Sequence, residues 1–342
     1  MSYRKILRSL FILTFIFGVS SGCESYNSDL SNQNTDKNID IDKSKLSNES
    51  NSGKLVEKSD TKPKNNKNCP GENTNFSLEF LKTNNLGESD KSGINHVIIF
   101  NPKSDKLDFK VNVGLVHTIY KKDNNGKTLK EYVPKIFSEI IADENSKLNG
   151  KAPVVAINAD YIDTINKPQG LNISRGIEYS GDFKTKRSSF GISAGNPSQR
   201  QATIQTGRRK KDILNYNLVG GNGRFYKNGI FKDICDDLGE FACKQATNRS
   251  MVAVTTSGYV ILLVNDTKAD SEISISENNR ELLPDIFDDV LEGIARNNCL
   301  GKIQDAMLFD GGMSPGLHYN NKTYVQNPGA IGSVFLIYKK GS

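Results

Sequence analysis

Hydrophobic residues in this chain come mostly in short runs separated by turn-forming residues, with few long helical stripes. His96-Val97-Ile98-Ile99-Phe100 reads as a strand, and Pro153-Val154-Val155-Ala156-Ile157 as a short buried one. Leu107-Asp108-Phe109-Lys110-Val111-Asn112-Val113 alternates with period two, as a strand with one face on a core should. Asn228-Gly229, between Arg224-Phe225-Tyr226 and Ile230-Phe231, predicts a tight hairpin. Ser257-Gly258 predicts a second one, between Met251-Val252-Ala253-Val254 and the run Tyr259 to Val264. Helical spacing occurs twice: at Ile136, Phe137, Ile140 and Ile141 within residues 133–141, and from Leu282 to Asn297 with Pro284 in the first turn. Ala306-Met307-Leu308-Phe309 and Val334-Phe335-Leu336-Ile337-Tyr338 complete the core strands. Hairpins early and helix–strand alternation late predict an α+β fold, a mixed β-sheet with packed helices in a single domain from Phe76 onward.

Composition separates the first 75 residues from the rest. Asn27 to Asn75 is nearly all Asn, Ser, Lys and Asp, which cannot bury enough apolar surface to offset the entropy of ordering. Ahead of it, Arg4, Lys5 and Arg8 precede an apolar run from Leu10 to Val19 that is too short to span a bilayer. Ser20-Ser21-Gly22-Cys23 follows, so the segment reads as a secretory signal and resembles a bacterial lipobox with Cys23 lipidated. An ordinary signal peptide is the alternative. The expected organisation is therefore a signal peptide at 1–22, a disordered tether at 23–75 and a folded domain at 76–342. Such a chain would be exported and membrane-anchored, facing outside the cytoplasm. Of the five cysteines, removing Cys23 leaves an even set suited to disulfides in an exported chain. Three pairings are open; Cys235–Cys243 and Cys69–Cys299 are favoured, and the absence of a C-x-x-C spacing argues against zinc. The net charge of +6 is modest, and Arg208-Arg209-Lys210-Lys211 reads as a solvated loop. No aromatic interleaving accompanies it, so no nucleic-acid partner is expected.

The candidate chemistry lies elsewhere. There is no P-loop, no H-E-x-x-H and no dinucleotide fingerprint. Gly312-Met313-Ser314-Pro315-Gly316 matches the nucleophile elbow of hydrolases, but Pro315 lacks the N–H that the elbow uses as an oxyanion donor. Of the three histidines, His96 and His117 read as strand packing residues, and His318 as a candidate substrate contact. Two strand ends carry a carboxylate among glycines: Ile157-Asn158-Ala159-Asp160-Tyr161-Ile162-Asp163 and Leu308-Phe309-Asp310-Gly311-Gly312-Met313-Ser314. Asp160, Asp163 and Asp310 are hard donors suited to Ca²⁺ or Mg²⁺, but their spacing demands no metal and no cofactor is expected.

Six motifs in order carry a resemblance. They are Asn158-Ala159-Asp160-Tyr161-Ile162, Pro168-Gln169-Gly170, Gly220-Gly221-Asn222-Gly223, Asn248-Arg249-Ser250, Phe309-Asp310-Gly311-Gly312-Met313-Ser314 and Asn327-Pro328-Gly329. Together they resemble the phosphodiester glycosidase family, the group of the "uncovering enzyme". Ala159 and Met313 stand where glycine is usual, and the Asn327 segment departs from the common ending. The resemblance implies a hydrolase that frees a sugar from a sugar-1-phosphodiester on an envelope or extracellular glycan. A non-catalytic carbohydrate-binding surface lipoprotein is the alternative. Within the enzyme reading, Asp310 is the key carboxylate at C1 and Arg249 the phosphate clamp. Asp160 is a second carboxylate or a sugar-hydroxyl ligand, and Asn158, Ser314 and His318 are substrate contacts. The Gly311 and Gly312 amides would face the phosphate as an anion nest.

Overall fold

The computed structural model describes residues 76–84, 94–122, 124–126, 128–147, 152–181, 187–207, 216–232, 248–266, 287–326 and 328–340. The signal, lipobox and tether expectations, with Cys23, Cys69, Cys235, Cys243 and Asn327, lie outside these residues. The described chain begins with β1 (Leu78–Asn84), β2 (Ile94–Phe100), β3 (Leu107–Asn112) and the pair β4 (Leu115–Lys122) and β5 (Thr128–Val133). The short β6 (Lys135–Ile136) leads into α1 (Phe137–Ser146), and β7 (Val155–Asn158) follows. Next come β8 (Asn172–Ser174), β9 (Ile177–Ser180), β10 (Ser188–Ile192), β11 (Ala202–Thr206), β12 (Asn217–Gly220), β13 (Arg224–Lys227) and β14 (Ile230–Phe231). The last part holds β15 (Ser250–Thr255), β16 (Val260–Asp266), α2 (Phe287–Asn297) and β17 (Ile303–Leu308). It ends with β18 (Gly316–Tyr319), β19 (Lys322–Gln326), β20 (Ala330–Ile331) and β21 (Val334–Lys339).

Three larger sheets form. One has seven strands in the order β1-β2-β16-β15-β17-β13-β14; the others have five each, β11-β10-β12-β8-β9 and β19-β18-β7-β21-β3. They share one core. Ile98, Val252, Leu262 and Met307 enter it from the seven-stranded sheet, Phe190 and Val219 from the second, and Ile157, Leu317 and Phe335 from the third. The opposite face of the seven-stranded sheet presents Val97, Ile99, Met251 and Leu263, covered by Phe287, Val290, Leu291 and Ile294 of α2. Burial on both faces explains the continuous apolar runs at residues 97–100, 251–254 and 260–264 of β2, β15 and β16, whereas β3 keeps its period-two pattern. On the third sheet, α1 covers Ala156, Val334 and Leu336 with Phe137, Ile140 and Ile141.

The expected α+β class with a mixed sheet is overturned. Strand dominates, and every ladder among the described residues is antiparallel, as in β15 with β16 and β15 with β17. The helix–strand alternation late in the chain was the misleading signal. β16 and β17 do run parallel, but β15 lies between them, so the connection through α2 crosses over a strand antiparallel to both. Helical spacing near 133–141 also marks a later helix: residues 128–133 pair with β4, and α1 starts at Phe137 and runs through polar Asp143-Glu144-Asn145 to Ser146. The Asn228-Gly229 turn joins β13 and β14 with φ of 55° and 78°, the positive angles its primed turn needs.

Candidate active site

Four strand ends converge where the three sheets meet. From the end of β17 the chain is stitched to three neighbours in succession. Leu308 N–H donates to Gly223 O (3.0 Å), Phe309 N–H to Ser250 O (2.8 Å) and Asp310 N–H to Ala159 O (2.8 Å). Residues 308–310 thus pass from the seven-stranded sheet to the end of β7 without leaving a backbone donor unpaired.

Asn158, at the end of β7, fixes this crossing from below. Its Nδ2 donates to Asp310 O (2.7 Å), and its Oδ1 accepts from the Ser250 hydroxyl (2.6 Å) and the Gly316 amide (3.1 Å). The side chain is fully buried. Asn158, expected as a sugar contact, holds Asp310 in place through these bonds.

Asp160 is likewise fully buried. Its Oδ2 accepts from the Gly170 amide (2.7 Å) and Asn172 Nδ2 (2.8 Å), and its Oδ1 from the Tyr161 amide (2.9 Å). Burial pushes its carboxyl up to about 6 despite these donors and the nearby Arg187 charge. Glycine is required around it: a Cβ on Gly220 would stand 2.8 Å from Asp160 Cγ, and one on Gly170 3.1 Å from its Oδ2.

Asp310 is 8% exposed, against 0% for Asp160, which leaves it as the carboxyl that a ligand can reach. Burial raises it to about 7, aided by the like charge of Asp160 and opposed by hydrogen bonds from Ser314 and the Gly311 amide and by Arg187. The Gly311 amide, expected with Gly312 at the phosphate, donates to the Asp310 carboxyl, and the Gly312 amide donates to Asn248 O (2.9 Å). The Ser314 side chain, expected at the substrate, serves Asp310.

Two arginines and a tyrosine surround the carboxyls. Arg249, 5% exposed, has its guanidinium 5.8 Å from the Phe287 ring, and its charge reaches Tyr161. Arg187 lies over the Tyr161 ring at 4.8 Å, and its charge reaches Asp160, Asp310 and Tyr161. The Tyr161 hydroxyl donates to Phe309 O (3.1 Å) and accepts from Asn222 Nδ2 (2.9 Å). Burial first, then the Asp310 charge, keep this phenol protonated far above neutral pH.

The loop that follows Tyr161 closes on itself through an Ile162–Pro168 bridge and lines a cavity of about 510 Å³ with Asp163, Thr164, Lys167 and Gln169. The carboxyls lie outside that lining, so the cavity flanks the site rather than containing its chemistry. His318, by contrast, faces away. Gly316, on the same strand face, packs against Phe137 of α1, and His318 Nδ1 meets Thr323 Oγ1 at 3.1 Å. No hydrogen bond joins His318 to either carboxyl. Among the described residues no group of three or more His, Cys, Asp or Glu is placed to hold a metal; Asp163 Oδ1 instead accepts from the amides of Ile165 and Lys167.

Sequence reasoning gave no role to Tyr161, Asn172, Asn222 or Arg187. Tyr161 and Asn222 stood inside quoted motifs, and Asn172 lies two residues past Gly170. Arg187 carries no local motif at all.

The phosphodiester glycosidase family model matches residues 151–338, more than half of the chain. Among solved structures, a protein from Synechocystis superposes with a TM-score of 0.49 and 12% identity over 77% of this chain. The chain spans 62% of that protein's length. The catalytic domain of zebrafish N-acetylglucosamine-1-phosphodiester alpha-N-acetylglucosaminidase, auto-inhibited by its pro-peptide, gives 0.45 and 15% identity. That match covers 78% of this chain and 89% of the zebrafish domain. No curated protein matches. By the family match over residues 151–338, the chain belongs to the phosphodiester glycosidase family, a group of glycosidase-type hydrolases.

Proposed function

We propose that this protein hydrolyses a sugar-1-phosphodiester, releasing the sugar, N-acetylglucosamine by preference, from an envelope or extracellular glycan. The observation that carries the reading is the reachable, raised carboxyl of Asp310, set beside a fully enclosed second carboxyl and two arginines. The bond broken joins C1 to the bridging oxygen, and its electron pair leaves on phosphate. Phosphate is a good leaving group, so the pressing needs are an anion at the oxocarbenium-like C1 and a cation at the phosphate. Asp310 supplies the first, as nucleophile or as base to water; a carboxyl poised near neutral suits proton transfer. Arg249 supplies the second, with a fork matched to two phosphate oxygens.

Asp160 takes a supporting part. With three donors on its oxygens and no exposure, it acts through its charge, raising Asp310. Asn158 and Ser314 hold the backbone and side chain of Asp310. The same proposal has the protein exported, with Cys23 lipid-linked to the membrane and disulfides Cys235–Cys243 and Cys69–Cys299 bracing the domain. Labelled fatty acid should enter the wild-type chain and not Cys23→Ala.

The deciding experiment incubates the protein with N-acetylglucosamine-1-phosphodiesters and para-nitrophenyl sugars. Free N-acetylglucosamine released by wild type and lost in Asp310→Asn supports the enzyme. No release from any substrate by a folded protein sinks it and favours a carbohydrate-binding lipoprotein.

A further inference from the structure

Arg187 is a cation at the edge of the site whose buried Nη1 makes no hydrogen bond. Its backbone is pinned among the elements that build the site. Ser188 N–H donates to Asn222 O at 3.0 Å, Ser189 pairs with Gly220, and Arg187 O accepts from Gly207 N–H at 3.2 Å. Its guanidinium is seated on the Tyr161 ring at 4.8 Å. The site's other polar side chains are committed: Asn158, Tyr161, Asn172 and Asn222 all have partners. Arg187 Nη1 is buried and makes no hydrogen bond. Natural proteins leave few buried donors unmade without a reason.

The surroundings narrow the reason. The Arg187 charge reaches both Asp160 and Asp310. A guanidinium kept only to neutralise carboxylates would close on one of them as a fork. Arg187 does not: the ion pairs among the described residues join other partners, such as Arg224 with Asp305 and Arg175 with Asp108. The cation therefore lies within electrostatic reach of both carboxyls without pairing to either, and keeps an unmade donor at Nη1. A phosphodiester whose C1 lies at Asp310 would offer that donor a non-bridging oxygen.

We propose that Arg187 is a second phosphate-binding arginine of this site, donating from Nη1 to a non-bridging oxygen while Arg249 holds the same group. The inference rests on the reading of Asp310 and Arg249 as the reacting centre. It makes the phosphoryl group, and not the sugar alone, a recognised part of the substrate. Two forks on one diester fix its orientation as well as its charge.

The test titrates inorganic phosphate into the full chain by calorimetry, for wild type, Arg187→Gln and Arg187→Lys, with a melting curve for each. Arg187→Gln should weaken phosphate binding about tenfold or more with its melting temperature little changed. Arg187→Lys keeps the charge over Tyr161 but not the fork, and should fall between the two; it decides the matter if the glutamine variant does not fold. In turnover, Arg187→Gln should lose more on a phosphodiester-linked sugar than on a para-nitrophenyl sugar. Equal phosphate binding in the folded variants, or none in wild type, overturns the inference. Failure of wild type to cleave any phosphodiester sinks the functional reading instead, and the phosphate titration still decides Arg187.

Discussion

Replacing Asp310 by Asn should abolish turnover and yet make the protein more stable at pH 8. Both carboxyls have folded pKa values above the ordinary 3.8, about 6 for Asp160 and about 7 for Asp310. The folded state therefore holds protons that the unfolded chain has already released between roughly pH 4 and 7. Stability then falls as pH rises through this window, and the full cost of two buried charges is present above it. A rise of about 3 units at Asp310 sets a ceiling of about 4 kcal/mol, at 1.36 kcal/mol per unit. The two groups titrate as a pair, so part of that cost belongs to Asp160. An amide removes one charge and relieves its neighbour, and about 2 kcal/mol of added stability at pH 8 is expected.

For a domain of this size that is a rise of about 5 °C in melting temperature. The assay is thermal unfolding by circular dichroism at pH 5, 6, 7 and 8, always as the difference between variant and wild type. His318, which burial lowers from its usual value, stabilises with rising pH through that usual value and cancels in the difference. The Glu144 contribution, whose carboxyl is lowered from 4.5 to about 2, changes almost wholly below the lowest pH measured and cancels in the difference as well. The gap should be largest at pH 8 and close toward pH 5, where Asp310 is protonated and resembles the amide. A gap that is absent at pH 8, or undiminished at pH 5, refutes the account of these carboxyls.

Further expectations follow from the same contacts. In wild type, kcat/KM should change with an apparent pKa near 7 that belongs to the pair, read from a pH–rate profile. Gly220→Ala forces a methyl against the Asp160 carboxyl and should cost about 1–3 kcal/mol in urea unfolding, with activity falling as Asp160 shifts. Asn158→Ala strands the Asp310 carbonyl and the Gly316 amide and should cost about 2 kcal/mol, with a loss of kcat at little change in KM. At the far end of the third sheet, Glu144 gathers Lys110, Asn112, Lys147 and Tyr338. Its lowered pKa gives stability that is present above pH 4.5 and lost toward about 2, so Glu144→Gln should flatten acid unfolding there while costing about 1–2 kcal/mol at neutral pH.

Most strands were legible because turn chemistry and apolar runs are local. Asn228-Gly229 and Ser257-Gly258 marked their hairpins without help from the rest of the chain. The sheet class was not legible, because a helix between two strands looks the same whether the strands end as neighbours or with β15 between them. The two carboxyls were findable as Asp at strand ends among glycines. What Asn158 does with its amide was not: the donors and acceptors it serves come from residues 92 to 158 positions away. Arg187 was silent for a related reason. Its partners, Tyr161, Asp160 and Asp310, are brought to it by two sheets other than its own, and nothing in the residues beside it announces them.

The stitching of residues 308–310 to Gly223, Ser250 and Ala159 divides the site into parts with different freedom to change. The carboxyls are knitted into the seam of the sheets, where any drift in the sequence disturbs the core. The loop tips beside them are not: Ile165 is 70% exposed and Met313 67% exposed, with neither side chain needed to keep the seam closed. Substitutions at those two tips would alter what rests on the rim while the two carboxyls stay where they are. On the proposed function, a lineage carrying this seam is equipped to exchange one glycan for another without rebuilding its catalyst.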